Sequence, residues 1–166
     1  MSVTRIASVV IALAVLLCLG VVRGESQLAK RGTYQATFWW QEHGEWFEIE
    51  KGHMFFTGKV TGTFFNDAGS GFLHRADAVC PSVRDVFADS VAAHGYCVIT
   101  DEDDDKAVLV WTCKDQRKWR CDGTAEWTAG TGKYTGLKGS QTFSVVLRQM
   151  GNEGYATFKG GWRLPE

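Results

Sequence analysis

The sequence predicts an all-β protein, a single closed antiparallel β-barrel of about eight strands. Three observations carry that expectation. Beyond residue 24 almost every segment alternates apolar and polar residues with period 2, as strands with one buried face do. The runs are short and separated by glycine-rich or acidic turns, and no long stretch carries a helical period. A meander of that many strands hides its edges by closing on itself. With eight strands the lumen is either filled by side chains or just wide enough for one small ligand.

The chain begins with a different kind of segment. Met1 to Gly24 has a short basic head with Arg5, an apolar run from Ile6 to Val22, and small residues around Val22-Arg23-Gly24. This is the layout of a secretory signal peptide with cleavage after Gly24. The competing reading is an uncleaved anchor, because the run is at the short edge of what spans a bilayer. Cys18 lacks the preceding small residue of a lipid-attachment box. Residues 25–166 then form one domain with one core. Without Arg5 and Arg23, 16 basic side chains stand against 19 acidic ones. No basic patch argues for nucleic acid, and once the leader is removed no membrane contact is expected.

The elements follow in order. Thr33–Gln41 places Tyr34, Ala36, Phe38 and Trp40 on one face, and Glu42-His43-Gly44-Glu45 is expected to turn the chain into a second strand, Trp46–Lys51. His53–Thr57 is a strand that Lys59–Phe65 either continues or follows as another. Asn66 to Gly71 is a turn signal. Phe72–Cys80 alternates again, with Phe72, His74, Ala76, Ala78 and Cys80 on one side. Pro81 to His94 interrupts the pattern; Val83, Val86, Phe87, Val91 and Ala92 suggest a short helical face or a packed loop there. Gly95–Thr100 and Lys106–Cys113 form a hairpin about the acidic tip Asp101–Asp105. Cys121–Trp127 alternates small or apolar Cys121, Gly123, Ala125 and Trp127 with Asp122, Thr124 and Glu126. Gln141, Phe143, Val145 and Leu147 share a face of the next strand, and Gly151–Gly154 turns it into the last, Tyr155–Leu164.

Between Trp127 and Gln141 lie Gly130-Thr131-Gly132-Lys133-Tyr134, Gly136 and Gly139. Phosphate-cradling glycine loops lead from a strand into a helix. This segment leads into another strand and has no Gly-Lys-Ser/Thr, so it reads as a hairpin corner. The corner resembles that of the allene oxide cyclase and dirigent barrel group, and most nearly that of small secreted bacterial proteins of unknown function with the same Gly-Thr-Gly-Lys-Tyr-x-Gly-x-x-Gly pattern. The resemblance is specific from Cys121 to about Phe143. It implies a calycin-like or allene oxide cyclase-like barrel and, with it, an isomerase or cyclase acting on a conjugated or lipid-like substrate. Ala129 stands where members of that group often have a first glycine, and no catalytic residue of the cyclases carries over to a position here.

Four cysteines remain after the leader, Cys80, Cys97, Cys113 and Cys121, an even number behind an export signal and so the arithmetic of two disulfides. Of three possible pairings, Cys113–Cys121 with Cys80–Cys97 is preferred, because Cys113 and Cys121 flank a polar loop between two apparent strands. Zinc would want a Cys-x-x-Cys spacing that the chain lacks. Asp101, Asp103 and Asp105 have calcium-loop spacing, but Lys106 and Thr112 stand where such a loop needs Gly and a bidentate Glu. No metal or other cofactor is expected. His74, on an alternating apolar face, is the candidate general acid or base.

Seven tryptophans and ten phenylalanines are the unusual component. Tyr34, Phe38, Trp40, Phe64, Trp111, Trp127, Phe143 and Trp162 are the candidate lining of an aromatic cavity, since ligand pockets are mostly apolar with a few placed polar groups. Adjacent Trp39 and Trp40 must point to opposite faces. The leading expectation is an exported barrel that binds a small hydrophobic or aromatic molecule. The alternatives are the isomerase or cyclase that the resemblance implies, and an interaction protein with a filled core whose outward Trp39 or Trp46 meets a partner.

Overall fold

The computed structural model describes residues 28–115, 120–147 and 152–166; the apolar leader, Trp119 and Gly151 lie outside them. Eight strands follow one another: β1 Arg31–Glu50, β2 His53–Asn66, β3 Ala76–Val86, β4 Val91–Thr100, β5 Lys106–Asp115, β6 Arg120–Gly130, β7 Gly139–Leu147 and β8 Glu153–Arg163. Each is antiparallel to the next, and β8 pairs back onto β1, so the sheet closes in sequence order. A single 3-10 turn, Gly132–Tyr134, is the only helical element among the described residues. The barrel therefore has a hairpin end, where β1–β2, β3–β4, β5–β6 and β7–β8 connect, and a corner end, which gathers the other connections and both ends of the strand series.

Alternation decides which side chains fill the interior. On β1, Tyr34, Ala36, Phe38 and Trp40 are buried while Thr33, Gln35, Trp39 and Gln41 lie on the outer face. On β6, Cys121, Ala125 and Trp127 are buried between exposed Asp122, Thr124 and Glu126. Trp39 and Trp40 do part company, at 52% and 8% exposure. Both disulfides have the preferred pairing: Cys80–Cys97 joins β3 to β4, and Cys113–Cys121 joins β5 to β6.

Three expectations are overturned. The polar tetrad Glu42–Glu45 is not a turn: β1 and β2 stay in register from Ala36 opposite Asn66 to Glu48 opposite Met54, with Gly44 facing Gly58. A Cβ on either glycine would stand 2.7 Å from the Phe56 ring. The glycines give a ring room inside a continuous ladder, and the chain reverses instead at Lys51-Gly52, where Gly52 has φ 87°. On the second point left open, Lys59–Phe65 continues the preceding strand as β2.

Nor is Phe72 to Arg75 strand. These residues form turns, with Leu73 and Arg75 at φ 54° and 61°, and β3 begins only at Ala76. Phe72 and Leu73 are both buried, so the chain leaves the sheet there to bury two adjacent side chains together, which a strand cannot do on one face. The third correction concerns Pro81 to His94. No helical face forms; β3 runs through Pro81, and Ser82, Arg84 and Val86 extend the face of Ala78 and Cys80. Phe87–Ser90 is a tight hairpin, closed by the Phe87 N–H on the Ser90 carbonyl at 2.9 Å. Proline can enter because the β3–β4 ladder skips Cys80 and Pro81, and the Cys80–Cys97 disulfide spans that gap.

Candidate functional site

The corner end is plugged. The loop after β2 folds back over the lumen, fixed by Asn66, whose amide donates to the Phe72 carbonyl (3.2 Å) while its oxygen accepts the Ala68 N–H (3.0 Å). Phe72 then stacks on Trp162 (centroids 4.9 Å apart, planes at 13°) and meets Tyr34, Trp127 and Tyr134 at 5.3, 5.5 and 5.9 Å. Leu73 and Leu137 are buried as well. Three of the candidate lining residues, Tyr34, Trp127 and Trp162, belong to this packed end. Burial among the rings pushes the Tyr34 hydroxyl far above its ordinary pKa, and the Trp127 indole beside it only partly opposes that.

The plug is held by a corner that the sequence presented as two unrelated features. The acidic tip is a turn built on Asp101, whose Oδ1 accepts the N–H groups of Asp103 and Asp105 at 3.0 and 3.1 Å. Lys133 of the glycine corner reaches across to it: its N–H donates to Asp105 (3.0 Å), and its ammonium pairs with Asp101 (2.8 Å) and with Asp103. The Lys106 N–H donates to the Thr131 hydroxyl at 2.8 Å. Gly132, at φ 48°, passes so close to the Asp105 carboxylate that any side chain would collide with it. Burial alone would raise the Asp101 pKa, but Lys133, Tyr134 and the Asp103 N–H outweigh it and hold the carboxyl below its usual range. The motif behind the family resemblance thus locks one end of the barrel.

Toward the hairpin end the packing opens. A cavity of about 70 Å³ is bounded by Phe38 and Trp40 of β1, Trp111 of β5, Phe143 of β7 and Phe158 of β8, with aliphatic Val60, Val91, Leu109 and Ala156 between them and all four disulfide-bonded cysteines on its wall. The rings lie against the wall because glycines beside them leave room. A Cβ at Gly154 would stand 2.5 Å from the Trp40 ring, and one at Gly123 would stand 2.6 Å from Phe143. Trp111 meets Phe143 edge-on at 6.0 Å, and its indole Nε1 is buried with no acceptor among the described residues.

A charged pair stands at this end. Arg84, on the inward face of β3, lines the cavity with Ser82. Its guanidinium donates to the Glu42 carboxylate and lies over the Trp46 and Phe56 rings, 5.5 and 5.4 Å from their centroids. The side chains of Arg84 and Glu42 are 13% and 7% exposed, so the pair is largely withdrawn from water. Glu42 is positioned by the continuation of β1, and the Asn152 amide donates to its backbone carbonyl at 3.0 Å.

The candidate lining therefore divides: Phe38, Trp40, Trp111 and Phe143 meet around the cavity, Tyr34, Trp127 and Trp162 meet around the plug, and Phe64 lies between them, 6.1 Å from Tyr34 and 5.4 Å from Phe158. His74 sits in the loop at the plugged end with its ring edge-on to exposed Phe65 at 6.2 Å, away from the cavity wall. Arg84, Glu42, Ser82 and Phe158 were not foreseen. The signal for two of them was present: Glu42 continues the series Tyr34, Ala36, Phe38, Trp40, and Arg84 continues Ala78, Cys80, Ser82, once the strands are carried past the residues read as breaks. Among the described residues, no group of three or more His, Cys, Asp or Glu is placed to hold a metal ion, and no helix is long and apolar enough to cross a membrane.

No protein-family model and no curated protein matches the chain. Among solved structures it is similar to a protein of unknown function from the DUF3224 family of Shewanella oneidensis MR-1, with 13% sequence identity, a TM-score of 0.50, and coverage of 82% of this chain and 98% of that one. At that identity the likeness is one of fold, an eight-stranded barrel, while the allene oxide cyclase grouping stays a resemblance of the corner.

Proposed function

We propose that this is an exported binding protein that holds a small apolar or aromatic molecule in the half of the barrel between the aromatic plug and the Arg84–Glu42 pair. The observation that carries the reading is the cavity itself: one end of the lumen is closed by the rings around Phe72, and the other keeps a ring-lined space. Binding is favoured over turnover because, among the described residues, Arg84 is the one ionisable side chain on that wall, the cysteines being in disulfides. An acid–base step would need a free proton donor or acceptor at the cavity. Export is supported by the leader sequence and by two disulfides, which persist in oxidising compartments.

The test is a titration of the folded, oxidised protein with one-ring and short-chain apolar compounds, followed by intrinsic tryptophan fluorescence. Saturable changes are expected. They should weaken by about tenfold or more in Ala93→Leu, which fills the space from β4, while the circular dichroism spectrum of the barrel is kept. Unsaturable or absent changes across the panel would reject the reading. Intact mass of the exported protein should begin at Glu25 and show no free thiol.

A further inference from the structure

We propose that the cavity selects an uncharged apolar molecule bearing an acceptor oxygen, a carbonyl in the simplest case, with Arg84 and Trp111 as the residues that recognise it; the inference rests on the binding reading above. Its basis is the hydrogen-bonding character of the wall. Among the described residues four side chains there have a conventional nitrogen or oxygen hydrogen-bonding group, Trp40, Ser82, Arg84 and Trp111. Guanidinium and indole only donate; the hydroxyl adapts to either role. The site therefore offers donors and calls for an acceptor.

Charge narrows the class. Arg84 has five N–H donors, and its one acceptor among the described residues is Glu42, which also balances its charge. An anionic ligand placed beside Arg84 would face the Glu42 carboxylate as well, in a setting too poorly hydrated to screen the repulsion. A carbonyl oxygen takes a remaining guanidinium proton without adding charge. The Trp46 and Phe56 rings hold the guanidinium in place, so little ordering is left for the ligand to impose. Trp111 points independently to the same class. Its buried N–H lacks an acceptor, and a buried donor without one is a standing cost that an incoming oxygen can relieve. A hydrocarbon of equal shape cannot relieve it, and an alcohol would bring a proton with few acceptors to meet it.

Acetophenone, ethylbenzene and benzoate share a single ring and differ in the feature at issue. Titrated into the mature, oxidised protein with nitrogen-15 in its tryptophans, acetophenone should bind about tenfold more tightly than either of the others. It should also move one indole N–H resonance downfield, the one absent from Trp111→Phe. That variant keeps a ring against Phe143, so its affinity for acetophenone should fall toward that for ethylbenzene, with ethylbenzene unchanged. Equal binding of ethylbenzene and acetophenone would overturn the inference and leave the binding function standing. Tightest binding by benzoate would also overturn it. Failure of all three to bind the folded protein would remove both.

Discussion

The two ends of this barrel are built from similar residues and do opposite things. At the corner end Tyr34, Trp127, Tyr134 and Trp162 close around Phe72, a residue delivered from outside the sheet. At the hairpin end Phe38, Trp40, Trp111 and Phe143 line the wall, no loop side chain among the described residues is delivered between them, and a cavity remains. The difference lies in what crosses the lumen. Aromatic content alone does not make a pocket; the connecting loops decide whether the rings meet a plug or each other.

The largest expected effect is on the plug. Phe72→Ala should cost about 3–5 kcal/mol, read from chemical denaturation, because a buried ring with four aromatic neighbours is lost from a packed end. Phe143→Ala should cost roughly 1–2 kcal/mol less, since it enlarges space that is already present, and it should admit bulkier ligands. If the two variants were equally destabilised, the contrast between the ends would fail. Gly154→Ala comes next. The added methyl displaces the Trp40 ring, so a loss of about 1–3 kcal/mol is expected, with ligand binding lost as the indole swings into the cavity. Gly69, with open space around it, is the control in the loop before the plug; its φ of 76° limits it to small, strained changes.

The smallest effect concerns the lock on the plugged end. Asp101→Asn should cost about 1 kcal/mol near neutral pH, as expected for a partly exposed ion pair with hydrogen bonds. The folded-state pKa of Asp101 is depressed, so its contribution is present above the ordinary carboxylate pKa of about 4 and is lost as pH falls from there through the lowered value. The stability gap between wild type and Asp101→Asn should therefore close in acid. A gap independent of pH would mean that the carboxylate charge plays no part in holding the corner. Salt should narrow the gap as well, while leaving ligand affinity at the opposite end unaffected.

Much of this was legible in the chain, and the misses share a cause. The closed barrel and the split between Trp39 and Trp40 follow from period-2 patterning, because a strand has only two faces, while the disulfide pairing was preferred from the polar loop that Cys113 and Cys121 flank. Glu42–Glu45 and Pro81 were misread because polar, glycine and proline residues usually mark reversals; here Gly44 answers to the Phe56 ring across the ladder, and Pro81 falls in a gap of the ladder. Those two misreadings hid Glu42 and Arg84. The pairing of the acidic tip with Lys133 was equally out of reach, since about thirty residues separate partners that only barrel closure brings together.

By itself the sequence determined that the chain is a meander of about eight strands, which face of most strands is buried, and that the interior is rich in rings, because all three are local consequences of alternation and turn chemistry. Where the lumen is filled and where it is left open was decided only in three dimensions. That outcome depends on the loop carrying Phe72 folding over one end, on glycines lying beside particular rings, and on a buried ion pair joining β1 to β3, none of which is a property of neighbouring residues.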